Sequence, residues 1–416
     1  MDYSEINELF INTYKMYNFK TRINEIEKNL TYEFRKKSVE IVEDIKKQRR
    51  DAVDNLQGQE RIEVYDRFDK EIDLIEKKYK KIIKEYLNKI KDRNCIEYYK
   101  DFLENYLFEN SHKFNDFDNK IVTNDNELKT VIEYLCKTTI SNLNKNEISF
   151  EDLAPLMYMQ YKIIGIKDKC KIKHVVVDEA QDYGEFQFDV LKTILNSNSM
   201  TILGDIAQGV HSYRGIENWK RFIDVEFGNV NVTYTTLQKT YRTTKEIMDI
   251  ANSVISKLPE YEREFIVLGE PVINRKNSVF YKQQKNMNEL IKNINTRIEE
   301  HKKSGFKSIA IIGKDINECK EIKKQISKIR DDVKLIQGKD SEYNAGISVV
   351  PSYLAKGLEF DCVIIANANS EKYANNNLDI KLLYVTITRA MSKLDIFYID
   401  EISELININM LWSLWN

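Results

Sequence analysis

At 416 residues, 42% of them hydrophobic, the chain is too long for one ordinary core and carries enough apolar material for two or three domains. A formal charge of −2 excludes a globally basic protein, so any contact with nucleic acid has to come from a local Lys/Arg surface. The five scattered cysteines, Cys95, Cys136, Cys170, Cys319 and Cys362, form no C-x-x-C pair, which argues against a disulfide scaffold or zinc site and suits a reducing compartment. No apolar run reaches the roughly eighteen residues of a membrane span, and no basic-then-apolar leader is present, so a cytoplasmic protein is expected. Four prolines and 13 glycines, with abundant Lys, Glu, Ile and Asn, indicate a largely helical α/β chain.

From about 21 to 91 the sequence is polar and charged, but its apolar residues keep helical time. Ile23, Ile26, Leu30, Phe34, Ile41 and Ile45 form one series, and Phe68, Ile72, Ile75, Tyr79, Ile82, Tyr86 and Ile90 another. Gly58, the only glycine in the first 160 residues, lies between them. The pattern predicts two helices folded into an antiparallel coiled hairpin with its tip near Gly58, each arm roughly 45–50 Å long. Such a hairpin is either a solvated spacer or an arm that contacts a partner. Residues 93–145 continue helical, with a break near Asn115–Asn126; Tyr98, Tyr99, Phe102, Tyr106 and Phe108 read as core in preference to base-stacking platforms. Ser149-Phe150-Glu151-Asp152 resembles a capping box that opens the next helix.

The stretch His174 to Asp182 reads His-Val-Val-Val-Asp-Glu-Ala-Gln-Asp. Three valines predict a short parallel strand buried on both faces, with Asp178 and Glu179 at its C-terminal end, where open α/β sheets bind ligands. An acid there can hold Mg²⁺ and its neighbour can activate a water, the form of a Walker B site; the bland alternative is a solvated turn or helix cap. A helix over about 186–195 leads to a second strand, Met200–Leu203, which ends in Gly204-Asp205-Ile206-Ala207-Gln208. Tyr241-Arg242 precedes another helix. A second α/β unit follows, with strands near 308–312, 333–337, 346–350, 362–366 and 394–398. Its loops carry Lys356-Gly357-Leu358-Glu359-Phe360-Asp361, and a helix carries Tyr384-Val385-Thr386-Ile387-Thr388-Arg389-Ala390.

Taken in order, Asp178 to Asp182, Gly204-Asp205 with Gln208, Tyr241-Arg242, Lys356 to Asp361 and Tyr384 to Ala390 resemble motifs II to VI of the UvrD/Rep-like superfamily 1 helicases. Phe150-Glu151-Asp152-Leu153-Ala154-Pro155-Leu156 and Pro351-Ser352-Tyr353-Leu354-Ala355 are similar to the HelD-type ATPases that recycle RNA polymerase. The resemblance implies two RecA-like lobes of P-loop NTPase type, the first incomplete: a helical region over 1–145, a partial first lobe over 146–230, and a second lobe over 231–416. It implies ATP and Mg²⁺ as cofactors, with Asp178 on the metal, Glu179 on the water and Gln208 sensing the γ-phosphate. Arg242 and Arg389 would neutralise transition-state charge, Glu359 would accept a ribose hydroxyl, and Gly204, Asp205 and Gly357 would line the nucleotide site. The implied partners are RNA polymerase, DNA or both, with a separate segment carrying the phosphate loop as a further partner. UvrD-like helicases usually carry Thr-x-His where this chain has Ser352 and Tyr353, a departure that bears on DNA unwinding more than on ATP hydrolysis.

One part of the pattern is missing. No Gly-x-x-x-x-Gly-Lys-Ser/Thr loop occurs; Gly313-Lys314 and Gly338-Lys339 are each followed by Asp and lack the earlier glycine. Two readings follow. The chain is a motor ATPase whose phosphate loop lies upstream or on a separate segment, or it is a non-catalytic binding protein that keeps the helicase fold. On either reading the strand Met200–Leu203 is expected to have an unpaired edge.

Overall fold

The computed structural model describes residues 3–91, 93–107, 109–110, 125–165, 172–197, 199–210, 215–216, 218–228, 231–338 and 345–407. Within these, the chain divides into two compact units: 1–172 with 190–196, and 173–189 with 197–416. Cys170, Phe108, most of the break near Asn115–Asn126, Lys339 and the side chains of Tyr86 and Ile90 fall outside the described set.

The first unit is helical. Its longest elements are Phe19–Val53 and Gln59–Lys91, of 35 and 33 residues, so each spans about 50 Å. Asn18 caps the first arm by accepting the Thr21 N–H at 2.9 Å. Gly58 sits in the connecting turn at φ +64°, a left-handed conformation that favours glycine. The arms pack antiparallel. Near the turn Arg49 pairs with Asp69 at 2.7 Å, and farther along Phe34 meets Tyr79 with ring centroids 4.7 Å apart, so positions rise on one arm as they fall on the other. Ile23, Ile26, Ile45 and Phe68 of the expected stripes are buried.

Beside the hairpin, Cys95–Asp101 continues into a π-helical turn, Phe102–Leu107, and helices Asp125–Asn144 and Phe150–Ile164 follow. Tyr99, Leu103, Ile132, Cys136, Leu143 and Leu156 form their common core. Helix Phe150–Ile164 starts at Ser149 as expected, but the capping box is not made. Ser149 Oγ accepts instead from Asn142 Nδ2 at 3.4 Å. The Asp152 carboxylate turns inward to accept from the Tyr99 hydroxyl at 2.8 Å, because a buried phenol needs an acceptor more than an exposed helix end does. Burial and this bond push the Tyr99 hydroxyl well above its ordinary range.

The second unit is α/β and built from parallel strands. β1 (Val175–Val177) pairs with β2 (Met200–Ile202) in register Val175 to Met200. β3 (Lys239–Thr244) pairs with β4 (Glu270–Ile273). β5 (Val279–Gln284), β6 (Ile309–Gly313), β7 (Val333–Leu335), β8 (Ile347–Pro351), β9 (Phe360–Ile365) and β10 (Ala390–Ile399) form one parallel sheet in the order β5-β10-β9-β6-β8-β7. Alternation along its strands divides the core. Ala310, Ile312, Val363 and Ile365 join a cluster with helices Lys245–Ile255 and Asn377–Thr388; Ile309, Ile311, Cys362 and Ile364 join another with helices Met287–Lys303 and Ile316–Ile326. Both faces are covered, as a parallel sheet requires.

The small β1–β2 sheet departs from that pattern. Val177 is buried with Phe188, Trp219 and Phe222, but Val176 is 63% exposed. The expectation of a strand buried on both faces is therefore wrong for β1: only the face turned to those aromatic side chains is covered. On the same strands His174 bonds Ser199 Oγ at 2.8 Å and Thr201 Oγ1 at 2.9 Å.

Candidate nucleotide site

β1 delivers Asp178, an exposed residue whose Oδ1 accepts the N–H of Glu179 at 2.8 Å. Glu179 lies at φ 51°, ψ 37°, a left-handed conformation that costs a non-glycine residue about 1 kcal/mol or more. Two contacts hold it there. Gln181 Nε2 donates to Glu179 Oε2 at 2.5 Å, and the ammonium of Lys356 lies 3.5 Å from the same carboxylate. Lys356 also donates to Asp182 Oδ2 at 2.7 Å, while Asp182 Oδ1 is buried without a hydrogen-bond partner.

Gln181, 1% exposed, ties the two strand ends together, because its Oε1 accepts the N–H of Asp205 at 2.9 Å. The amide is tightly enclosed. A Cβ on Gly215 would stand 2.0 Å from the Gln181 carbonyl, so glycine is required there, and one on Gly204 would stand 2.7 Å from Gln181 Oε1 and push that side chain aside. Asp205 accepts from the Ala207 N–H at 2.9 Å and from Gln208 Nε2 at 2.8 Å. Burial pushes its carboxyl above the usual range, opposed by these bonds.

Gln208 Oε1 accepts from Arg389 Nη2 at 2.9 Å. Arg389, at the end of helix Asn377–Thr388, is 2% exposed and donates also to the carbonyls of Val385 (3.1 Å) and Leu358 (3.3 Å). Burial, then the nearby Arg242, lowers its pKa, though a guanidinium stays charged at any ordinary pH. Arg242, on β3, pairs with Glu359 at 2.7 Å, each side chain 43% exposed. Gly357 sits in the same loop at φ +78°.

Hydrogen bonds therefore join Glu179 through Gln181, Asp205 and Gln208 to Arg389, with Asp178 next to Glu179 at one end and the separate Arg242–Glu359 pair near Arg389 at the other. Asp205 serves chiefly to hold Gln208 and its turn. Gln181, Asp182 and Lys356 complete the network; they stand inside the quoted motifs, but nothing in their order marks them as its buried members. Among the described residues, no three His, Cys, Asp or Glu side chains are grouped to enclose a metal ion. Magnesium asks for less, one or two carboxylates with water and phosphate oxygens completing the octahedron, and the exposed Asp178 fits that requirement.

Lys356→Met should lower stability by about 1–3 kcal/mol, since it strips the half-buried Asp182 of its cation. An unchanged thermal midpoint would show that this bridge holds nothing in place.

Comparison with known sequences adds a second line of evidence. A profile of the UvrD/REP helicase N-terminal domain matches residues 4–223, and one of the UvrD-like helicase C-terminal domain matches 346–396. The chain is 35% identical over 146 residues to a probable DNA helicase II homolog of Mycoplasma capricolum, covering 32% of this chain and 19% of that protein. It is 31% identical over 121 residues to the ATP-dependent DNA helicase Rep of Buchnera aphidicola, covering 28% and 18%. A Mycoplasma genitalium homolog of DNA helicase II matches over 299 residues at 22% identity, covering 68% of this chain and 40% of that one. The matches to the first two thus span about a fifth of the relatives' length. Among solved structures, the C-terminal domain of a possible DNA helicase from a Lactobacillus is 28% identical, covering 41% of this chain and 96% of that one at a TM-score of 0.34.

Proposed function

The chain belongs to the UvrD/Rep-like superfamily 1 helicase family, and from that premise we propose that it is the body of a motor ATPase of HelD type, which couples ATP hydrolysis to action on DNA and RNA polymerase. The observation that carries the reading is the bonded path from Glu179 through Gln181, Asp205 and Gln208 to Arg389. A carboxylate able to activate water stands at one end and a cation able to stabilise an equatorial phosphoryl oxygen at the other, as in-line phosphoryl transfer requires. Asp178 would hold the magnesium, which would neutralise phosphate charge. Gln208 would report the γ-phosphate, Arg242 and Arg389 would meet the charge that develops on it, and Glu359 would turn from Arg242 to a ribose hydroxyl. Gly204 and Gly357 would let the backbone approach the nucleotide. The phosphate-binding loop, whose sequence does not occur in these 416 residues, would come from another segment.

The alternative, a binding body without turnover, has one observation in its favour. Arg242 with Glu359, Arg389 with Gln208, and Lys356 with Asp182 already satisfy one another.

We assign the hairpin to partner contact. Its tip is mixed in sign, with Arg49, Arg50 and Asp51 near the turn, which suits a protein groove better than a phosphate backbone. Deleting Arg49–Glu63 is expected to weaken capture of purified RNA polymerase at least tenfold while the near-ultraviolet spectrum and melting of the α/β unit stay the same. Unchanged capture would remove the arm from the reading and leave DNA as the partner.

A further inference from the structure

The hairpin tip is mixed in sign, but one stretch of its shaft carries cations alone. The eight residues Lys77 to Lys84 include five lysines and no acid. Lys77, Lys80, Lys81 and Lys84 are spaced i, i+3, i+4 and i+7, which sets them on one face of helix Gln59–Lys91. Contact with the other arm occupies the opposite face, where Tyr79 stacks near Phe34. The lysine face is therefore open: Lys77, Lys80 and Lys81 are 79%, 71% and 76% exposed, and Lys84 is exposed as well.

Acids bound this run and pair with three of its four lysines, but loosely. Asp73, Glu76 and Glu85 approach Lys77, Lys80 and Lys81 at 3.5, 3.6 and 3.8 Å, the long and solvated kind of ion pair that exchanges readily for another anion. At the same level of the shaft, fixed by the contact of Phe34 with Tyr79, the other arm carries the exposed run Arg35-Lys36-Lys37. Here cations are gathered on the shaft, in a chain whose net charge is slightly negative.

We propose that this lysine face of the hairpin shaft binds the phosphate backbone of a nucleic acid, independently of the nucleotide site. Four cations on one face can each replace a condensed counterion, so binding there is sequence-independent and falls steeply with salt.

The test is fluorescence anisotropy of a fluorescein-labelled DNA duplex titrated with the 416-residue chain at several salt concentrations. It compares the natural chain with two variants in which Lys77, Lys80, Lys81 and Lys84 are all changed to Gln or all to Arg. The Gln variant is expected to bind at least tenfold more weakly at low salt, with the slope of log affinity against log salt reduced by about 2–4. The Arg variant keeps the charge and should keep both values. Equal affinity and slope for the Gln variant would overturn the proposal. So would unchanged DNA binding accompanied by weaker capture of RNA polymerase, which would assign the lysines to an acidic protein surface. An Arg variant that binds as weakly as the Gln variant would also overturn it, by showing that charge is not what matters.

Discussion

ATP turnover by the 416-residue chain alone is expected to stay near background. In the proposed roles, Glu179, Asp178 and Arg389 would stabilise a transition state only with the triphosphate held in line between them, and that holding would be the work of a glycine-rich loop and its lysine. Without them the reaction forgoes several factors of ten, each worth about 1.4 kcal/mol. Adding a separate polypeptide that carries the loop should restore DNA-stimulated turnover. The restored activity should then fall by about 10²–10⁴ in Glu179→Gln, which would remove the proposed base and leave the shape. It should fall by about 10³ or more in Arg389→Ala, which also leaves Gln208 without its donor. Hydrolysis well above background by the isolated chain, lost in Glu179→Gln, would mean that some other segment cradles the phosphates.

Asp395→Ala is expected to have the largest effect on folding. Asp395, 1% exposed on β10, accepts a two-pronged bond from Arg297, Nε at 2.9 Å and Nη2 at 2.8 Å, and lies 2.7 Å from His301 Nε2. His301 is itself 3% exposed, and the Arg297 guanidinium stacks 4.4 Å from the Phe280 ring centroid. Removing the carboxylate would leave a buried imidazole without its acceptor and a half-buried guanidinium with Glu300 alone, at a cost of about 3–5 kcal/mol. Urea denaturation of the variant should show the loss as a lower midpoint at an unchanged slope. A change below about 1 kcal/mol would mean that water replaces the carboxylate. Adding Arg297→Met should recover part of the loss, because the half-buried cation that lost two of its bonds is then gone.

The hairpin was legible because a stripe repeating every three or four residues has few other uses, and its turn is marked by an isolated glycine. The inner strands β6, β8 and β9 were legible as apolar runs, since both of their faces are covered. Strands β3, β4 and β5 were not. β3 reads Lys-Thr-Tyr-Arg-Thr-Thr, β4 holds Pro271, and β5 ends in Lys282-Gln283-Gln284 at the sheet edge, where one side has no neighbour to demand apolar residues. The acids and arginines of the site could be named from their order along the chain. The burial of Gln181 and Lys356 could not, because a polar residue enters a core only when its partners, here up to 174 positions away, are brought to it. Val176 shows the converse: a valine run indicates a strand but not how many of its faces are covered.

The bonds that link Arg389 to Glu179 also act as a mechanical train. Four hydrogen bonds, each to a side chain or amide fixed at its other end, connect a guanidinium on one helix terminus to a carboxylate beside another sheet. A ligand that draws Arg389 away from Gln208 frees that amide to turn. The turn relaxes Asp205, and through the Asp205 N–H it slackens Gln181, the tether on Glu179. Loading at one end would thus loosen the acid at the other, four hydrogen bonds away, where the left-handed backbone of Glu179 would be free to relax.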